Sequence, residues 1–112
     1  MKIVSCYKAY WEARKGKNIK KNEKIVLESK NLEYCYKFAK YIYGSNIKEF
    51  EQVILKSKNC YYCYFFAKDI PSSNKEELFK VILESGDKYW INHFIEEVEF
   101  NKEKYINYLL FI

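Results

Sequence analysis

The chain has a single histidine and a single arginine among 112 residues, no glycine-rich phosphate loop and no paired-carboxylate signature. Acid–base or nucleophilic catalysis needs a base within reach of a nucleophile or a carboxylate. His93 shares its place in the repeat described below with Phe65, Lys37 and Ala9, which offer no such chemistry, and it reads as a surface residue. No catalytic residue, cofactor or metal site is therefore expected. Arg14 is the only arginine among twenty basic side chains, so lysine point charges replace the bidentate fork almost everywhere. No apolar run approaches the ~20 residues that span a bilayer, and the opening MKIVSCYKAYWEARKGK meets charge too early for a secretory signal. The expectation is a cytoplasmic protein without a membrane partner, in which Cys6, Cys35, Cys60 and Cys63 remain thiols.

What the chain has in excess is aromatic surface and, at one end, positive charge. Tyrosine occurs 12 times and phenylalanine 8 times, and 49% of residues are hydrophobic, which excludes a disordered composition. The net charge is +5, but it is uneven: eight basic and two acidic side chains fall in residues 1–24, against twelve and thirteen in the remainder. The Lys, Asn, Ile and Tyr content also resembles that of AT-rich genomes.

The strongest signal is a repeat with a period of 28 residues. IVLESKN at 25–31 returns as VILKSKN at 53–59 and VILESGD at 81–87. YCYKFAK at 34–40 returns as YCYFFAK at 62–68 and, degraded, as WINHFIE at 90–96. GKNIK at 16–20 matches GSNIK at 44–48 and weakly SSNKE at 72–76. Each period holds two helices, A then B. In helix B, Cys35, Phe38, Ala39 and Ile42 lie at i, i+3, i+4 and i+7, and Cys63, Phe66, Ala67 and Ile70 repeat that stripe. In helix A, Phe50, Val53, Ile54 and Ser57 correspond to Leu78, Val81, Ile82 and Ser85, while Leu27, Leu55, Leu83 and Phe111 form a second apolar column. A helix apolar on two sides suits burial between neighbouring hairpins.

The punctuation agrees. Asn31, Asn59 and Asp87 are expected to cap helix B, and Asn18, Asn46, Asn74 and Asn101 helix A, with Glu49 and Glu77 at capping-box spacing. Gly16 and Gly44 suit left-handed helix ends, and Pro71 ends the following helix B. The expected architecture is all-α: a right-handed α-solenoid of stacked antiparallel hairpins with about eight short helices. It forms a single domain 1–112, divided into a half-repeat 1–17, repeats 18–45, 46–73 and 74–100, and a half-repeat 101–112.

The stretch IVLESKNLEYCYKFAKYIYGSNIKEFEQVILKSKNCYYCYFFAKDI resembles a short helical-hairpin repeat of low-GC bacteria and their phages, with hairpins in the style VILESKDPEYAYLFAK. The similarity covers most of the chain and fades after Trp90. It is like the HEAT and tetratricopeptide repeats in style, not in signature: the 34-residue tetratricopeptide pattern is absent, and RNA-reading helical repeats are longer. The resemblance implies an α-solenoid with a scaffold or binding role and brings no catalytic residues. Small phage proteins of this size are often inhibitors of host defence, anti-CRISPR proteins among them, and an inhibitor of that kind is the expectation it suggests.

Three surfaces emerge as candidates. Tyr36 and Tyr64 share a column on the outer side of helix B, near Lys37, Lys40, Tyr43 and Lys68, and tyrosines with flexible cations suit protein recognition. The same two tyrosines could equally pack between adjacent B helices. Arg14, Lys15, Lys17, Lys20, Lys21 and Lys24 cluster about the first turn, where they either solvate a solenoid end or neutralise nucleic-acid phosphates. Tyr105, Ile106, Tyr108, Leu109, Leu110, Phe111 and Ile112 leave little polar surface, which points to a folded-back end or to self-association, as in a homodimer. Cys60-Tyr-Tyr-Cys63 has the spacing of half a zinc site, but Cys63 occupies the core column of Cys35 and no second Cys/His pair exists, so it reads as structural. The expected function is a non-catalytic protein–protein interaction module; the alternative is a nucleic-acid binder using the basic turn.

Overall fold

The structure is a computed structural model in which residues 5–105 are described. Among them are seven α-helices, one short 3-10 turn and no strand. The chain divides into two compact units, Met1–Ser57 and Lys58–Ile112. The first holds α1 (Cys6–Arg14), α2 (Ile19–Ser29), α3 (Leu32–Tyr41) and α4 (Ile47–Ser57). The second holds α5 (Cys60–Asp69), α6 (Lys75–Ser85), α7 (Lys88–Glu97) and the 3-10 turn Glu103–Tyr105. The division falls between the two helices of repeat 46–73. Of the eighth helix expected at the carboxyl end, only this turn belongs to the described residues; Ile106–Ile112 lie outside them.

In the first unit α1 packs on α2 and α3, and α4 packs on α3 and α2, so helices of one kind lie against each other as well as against their hairpin partners. The B column supplies the core: Tyr10 and Phe38 here, Phe66 and Phe94 in the second unit, all buried. Phe38 stacks on Phe50 of α4 with centroids 5.2 Å apart. The second unit closes on rings instead, with Phe79 within 5.1 Å of Phe94 and 4.9 Å of Phe100. In helix A the inner column, Val26, Ile54 and Ile82, is fully buried, while Leu27, Leu55 and Leu83 are half-buried.

The turn from helix A to helix B uses one device repeatedly. Ser29, Ser57 and Ser85 donate their hydroxyls to the carbonyls of Val26, Ile54 and Ile82 at 2.6, 2.6 and 2.5 Å. The hydroxyls of Ser29 and Ser85 also accept the backbone N–H of the next helix's cap, Asn31 and Asp87. The residue between serine and cap is left-handed each time: Lys30 at φ 55°, Lys58 at 57° and Gly86 at 71°. Glycine adopts this conformation freely and lysine does so at a cost.

Asn31, Asn59 and Asp87 accept first-turn N–H groups as expected, and Asn46 and Asn74 accept from Glu49 and Glu77 N–H. Asn18 differs. It lies in the left-handed region at φ 47° and makes no side-chain cap bond. Its amide instead donates to Glu12 Oε1 at 3.0 Å. Asn22, in the column that holds Phe50 and Leu78 in later repeats, is buried too, and donates to Glu12 Oε1 at 3.1 Å and to the Lys17 carbonyl at 3.1 Å. The first repeat thus exchanges a core apolar residue for a polar tie across its turn.

Candidate interaction surface

On α1, Tyr7, Trp11 and Arg14 fall at i, i+4 and i+7, one stripe of the helix. On α3, Tyr34, Lys37 and Tyr41 fall at i, i+3 and i+7 and form the facing stripe. Because α1 and α3 pack side by side, the stripes interleave: Tyr7 meets Tyr34 edge-on at 6.0 Å, and Arg14 lies over Tyr41 at 5.0 Å. Arg14 also lies 5.9 Å from the centre of Tyr10 and 5.8 Å from that of Trp11, and its Nη1 donates to the Tyr10 hydroxyl at 2.9 Å. Tyr7, Trp11 and Tyr41 remain 57%, 45% and 49% exposed. Cations over ring faces are held electrostatically by about 0.5–1 kcal/mol each at such exposed sites.

Lys37 continues the row, 5.3 Å over Tyr34, with its ammonium 2.8 Å from Glu33. That hydrogen bond raises the Lys37 pKa, while loss of solvent raises that of the Tyr34 phenol. Lys40 lies over Tyr36 and Tyr41 at 5.6 and 5.0 Å and donates to the Tyr36 hydroxyl at 3.3 Å. The sequence columns identify Tyr36, Lys37 and Lys40, which this face brings together. They do not reveal Tyr7, Trp11 and Tyr41, although the 7/11/14 and 34/37/41 stripes were readable. Tyr43 sits in the turn after α3, 99% exposed and off the helix.

Of the two readings open for Tyr64, an outward ring in the column of Tyr36 or packing between adjacent B helices, the structure shows the second, so Tyr64 drops out of the candidate binding surface. It is only 5% exposed, covered by Trp90 at 5.5 Å, Phe65 at 4.9 Å and His93 at 6.0 Å. Lys68 lies over its ring at 5.6 Å. His93 is half-buried in this cluster, 4.4 Å from Tyr89, rather than a plain surface residue. Tyr105 is likewise buried, against Phe79 at 5.0 Å, with its hydroxyl donating to Glu76 at 3.4 Å. Tyr108, Leu109, Phe111 and Ile112, the rest of that candidate face, lie outside the described residues.

The basic turn is open to solvent: Arg14, Lys15, Lys17, Lys20, Lys21 and Lys24 are all exposed. Lys20 and Lys24 approach Glu23 and Glu28 at 3.8 and 3.9 Å. The other carboxylate there, Glu12, accepts from the Asn18 and Asn22 amides, which hold its pKa below the ordinary range. It is tied to neutral donors rather than to the lysines around it. A separate concavity of about 430 Å³ opens beside α4, lined by Leu32 and Val53 together with Lys30, Lys56 and Glu49.

Cys63 is fully buried and burial pushes its thiol up to about 12, as it does that of Cys35. Cys35 Sγ points at the Val26 carbonyl, 3.6 Å away. Thiols so raised are poor nucleophiles and poor metal ligands. Among the described residues no group of three or more His, Cys, Asp or Glu side chains could hold a metal ion, and no helix is long and apolar enough to cross a membrane. No family model, no curated protein and no solved structure matches the chain.

Proposed function

We propose that this chain is a non-catalytic protein-binding module, built as a right-handed α-solenoid of 28-residue hairpins, that acts by occupying another protein's surface. One observation carries the reading: exposed aromatic rings and cations interleave on the α1–α3 face. Aromatics and arginine are the residues that dominate protein interfaces, since they bring large contact area at little loss of conformational freedom. In the first unit, packing of B helix on B helix and A on A supports the solenoid. A small inhibitor of a host protein, from a phage or mobile element, works in this way.

The second reading is nucleic-acid binding through the turn Arg14–Lys24, favoured by one point: all six basic side chains of that turn are exposed to solvent. A photo-crosslinking residue at Trp11 and another at Tyr43, used in an extract of the source cell treated with nuclease, separates the two. Protein adducts at Trp11 that survive nuclease are expected. Loss of every adduct with nuclease, together with loss of binding on charge reversal at Lys20 and Lys21, would establish the second reading in its place.

A further inference from the structure

Resting on the protein-binding reading, we propose that the α1–α3 face recognises an acidic peptide segment, in which carboxylates alternate with aliphatic side chains. Tyr41 carries Arg14 above it, Trp11 shares the same guanidinium, and Tyr34 carries Lys37. Stacking of nucleobases requires open ring faces. Here the chain's own cations lie over ring faces, and their N–H donors attract carboxylates. Arg14 commits one hydrogen bond, to Tyr10, and its planar fork leaves further donors suited to a bidentate carboxylate.

Charge complementarity points the same way. Helix α1 exposes Lys8 and Arg14, followed by Lys15. Its one carboxylate, Glu12, is turned to Asn18 and Asn22. On α3, Glu33 is held by Lys37. The exposed parts of Tyr7 and Trp11 then provide the apolar surface that the aliphatic side chains of the segment cover.

The test is fluorescence anisotropy on the full chain, with three labelled probes: an alternating Glu/Leu peptide, its Gln/Leu counterpart and an oligothymidylate of similar length. The Glu/Leu peptide is expected to bind, and its Gln/Leu counterpart to bind at least about tenfold more weakly, the span of one strong charge-assisted contact. Arg14→Gln should lose about tenfold, and Arg14→Lys, which keeps the charge but not the fork, about threefold or more. A Lys20→Gln/Lys21→Gln chain should stay within about twofold, because those charges lie off the face and are screened by salt.

Tighter binding of the oligothymidylate, equal binding of both peptides, or an equal loss in the Lys20/Lys21 chain would each overturn the proposal. Should Arg14→Gln fail to fold by circular dichroism, the Gln/Leu peptide and Arg14→Lys decide the matter. If Trp11 still crosslinks a protein in nuclease-treated extract while neither peptide binds, the acidic-segment proposal falls and the protein-binding reading stands; absence of both removes the two together.

Discussion

The Glu23 carboxylate accepts the backbone N–H of Asn46 at 2.7 Å, joining α2 to the start of α4 across 23 residues of chain. Glu23 is buried, and Lys20 approaches its other oxygen at 3.8 Å. The bond satisfies an amide at the beginning of α4, where the helix dipole also favours an anion. Glu51, its counterpart one repeat later, is buried as well; Phe79 takes the third place.

Glu23→Ala should therefore lower stability by about 1–3 kcal/mol, the range for leaving a buried donor unmet. Glu23→Gln keeps an acceptor and should lose less. Urea unfolding of both variants, with equal m-values, measures the difference. Equal losses would show that the negative charge, which glutamine also lacks, is what matters rather than a neutral acceptor or the bulk of the side chain.

At the A-to-B turns, the left-handed residue is Lys30, Lys58 and Gly86 in successive repeats. Lys30→Gly and Lys58→Gly should each raise stability by a few tenths to about 1 kcal/mol, and Gly86→Ala should lower it by a similar amount. Space around Gly86 is open, so the loss would come from backbone conformation alone. Thermal melts of the three variants suffice, and a stabilised Gly86→Ala would contradict the argument.

The thiols set a limit at high pH. In the folded chain Cys35 and Cys63 are held at about 12, while unfolding returns them to the ordinary value near 9. Between those values the unfolded state gives up protons that the folded state keeps, so stability is full below about pH 9 and falls as pH rises toward 12. Cys35→Ala with Cys63→Ala should flatten this slope. In the native wild type, the half-buried Cys6 and Cys60 should react with a thiol reagent first, and Cys35 and Cys63 only on unfolding.

Glu12 sets the opposite limit. Asn18 and then Asn22 hold its pKa below the ordinary 4.5, so its contribution is present above that value and is lost as pH falls through the lower, folded one. A melting-temperature profile from pH 6 downward should drop less steeply in Glu12→Gln than in the wild type. Matching slopes would assign the acid limit elsewhere.

Tyr64→Ala should cost about 3 kcal/mol or more, as truncation of a buried aromatic does, whereas Tyr43→Ala should stay within about 0.5 kcal/mol. The contrast measures directly what the sequence columns could not show. Periodicity fixes the angle at which a side chain leaves its helix; it does not say what covers that angle. Trp90, in the column of Tyr34 and Tyr62, is the larger ring and reaches over Tyr64.

The seven described helices, the inner columns and six of the asparagine and aspartate caps, Asn101 among them through the Glu103 N–H, were legible because each depends on residues within one turn of helix. The bond from Glu23 to Asn46 was not, since it spans 23 residues and uses a charged side chain on an otherwise apolar flank. Asn18 misled for a related reason. An asparagine before a helix has two local options, a cap or a left-handed turn, and the choice was made by Glu12, six residues earlier and on another helix. The α1–α3 face was half-legible: Arg14, Lys37 and Lys40 were identified, but as charges in separate surfaces rather than as neighbours of the same rings.

The guanidinium of Arg14 rests on three rings and one hydroxyl before any visitor arrives. An arginine side chain forfeits about 2 kcal/mol of rotamer entropy when it is immobilised. These contacts make folding bear part of that loss, so an incoming anion should find the donors already oriented, and the advantage should surface chiefly as slow release.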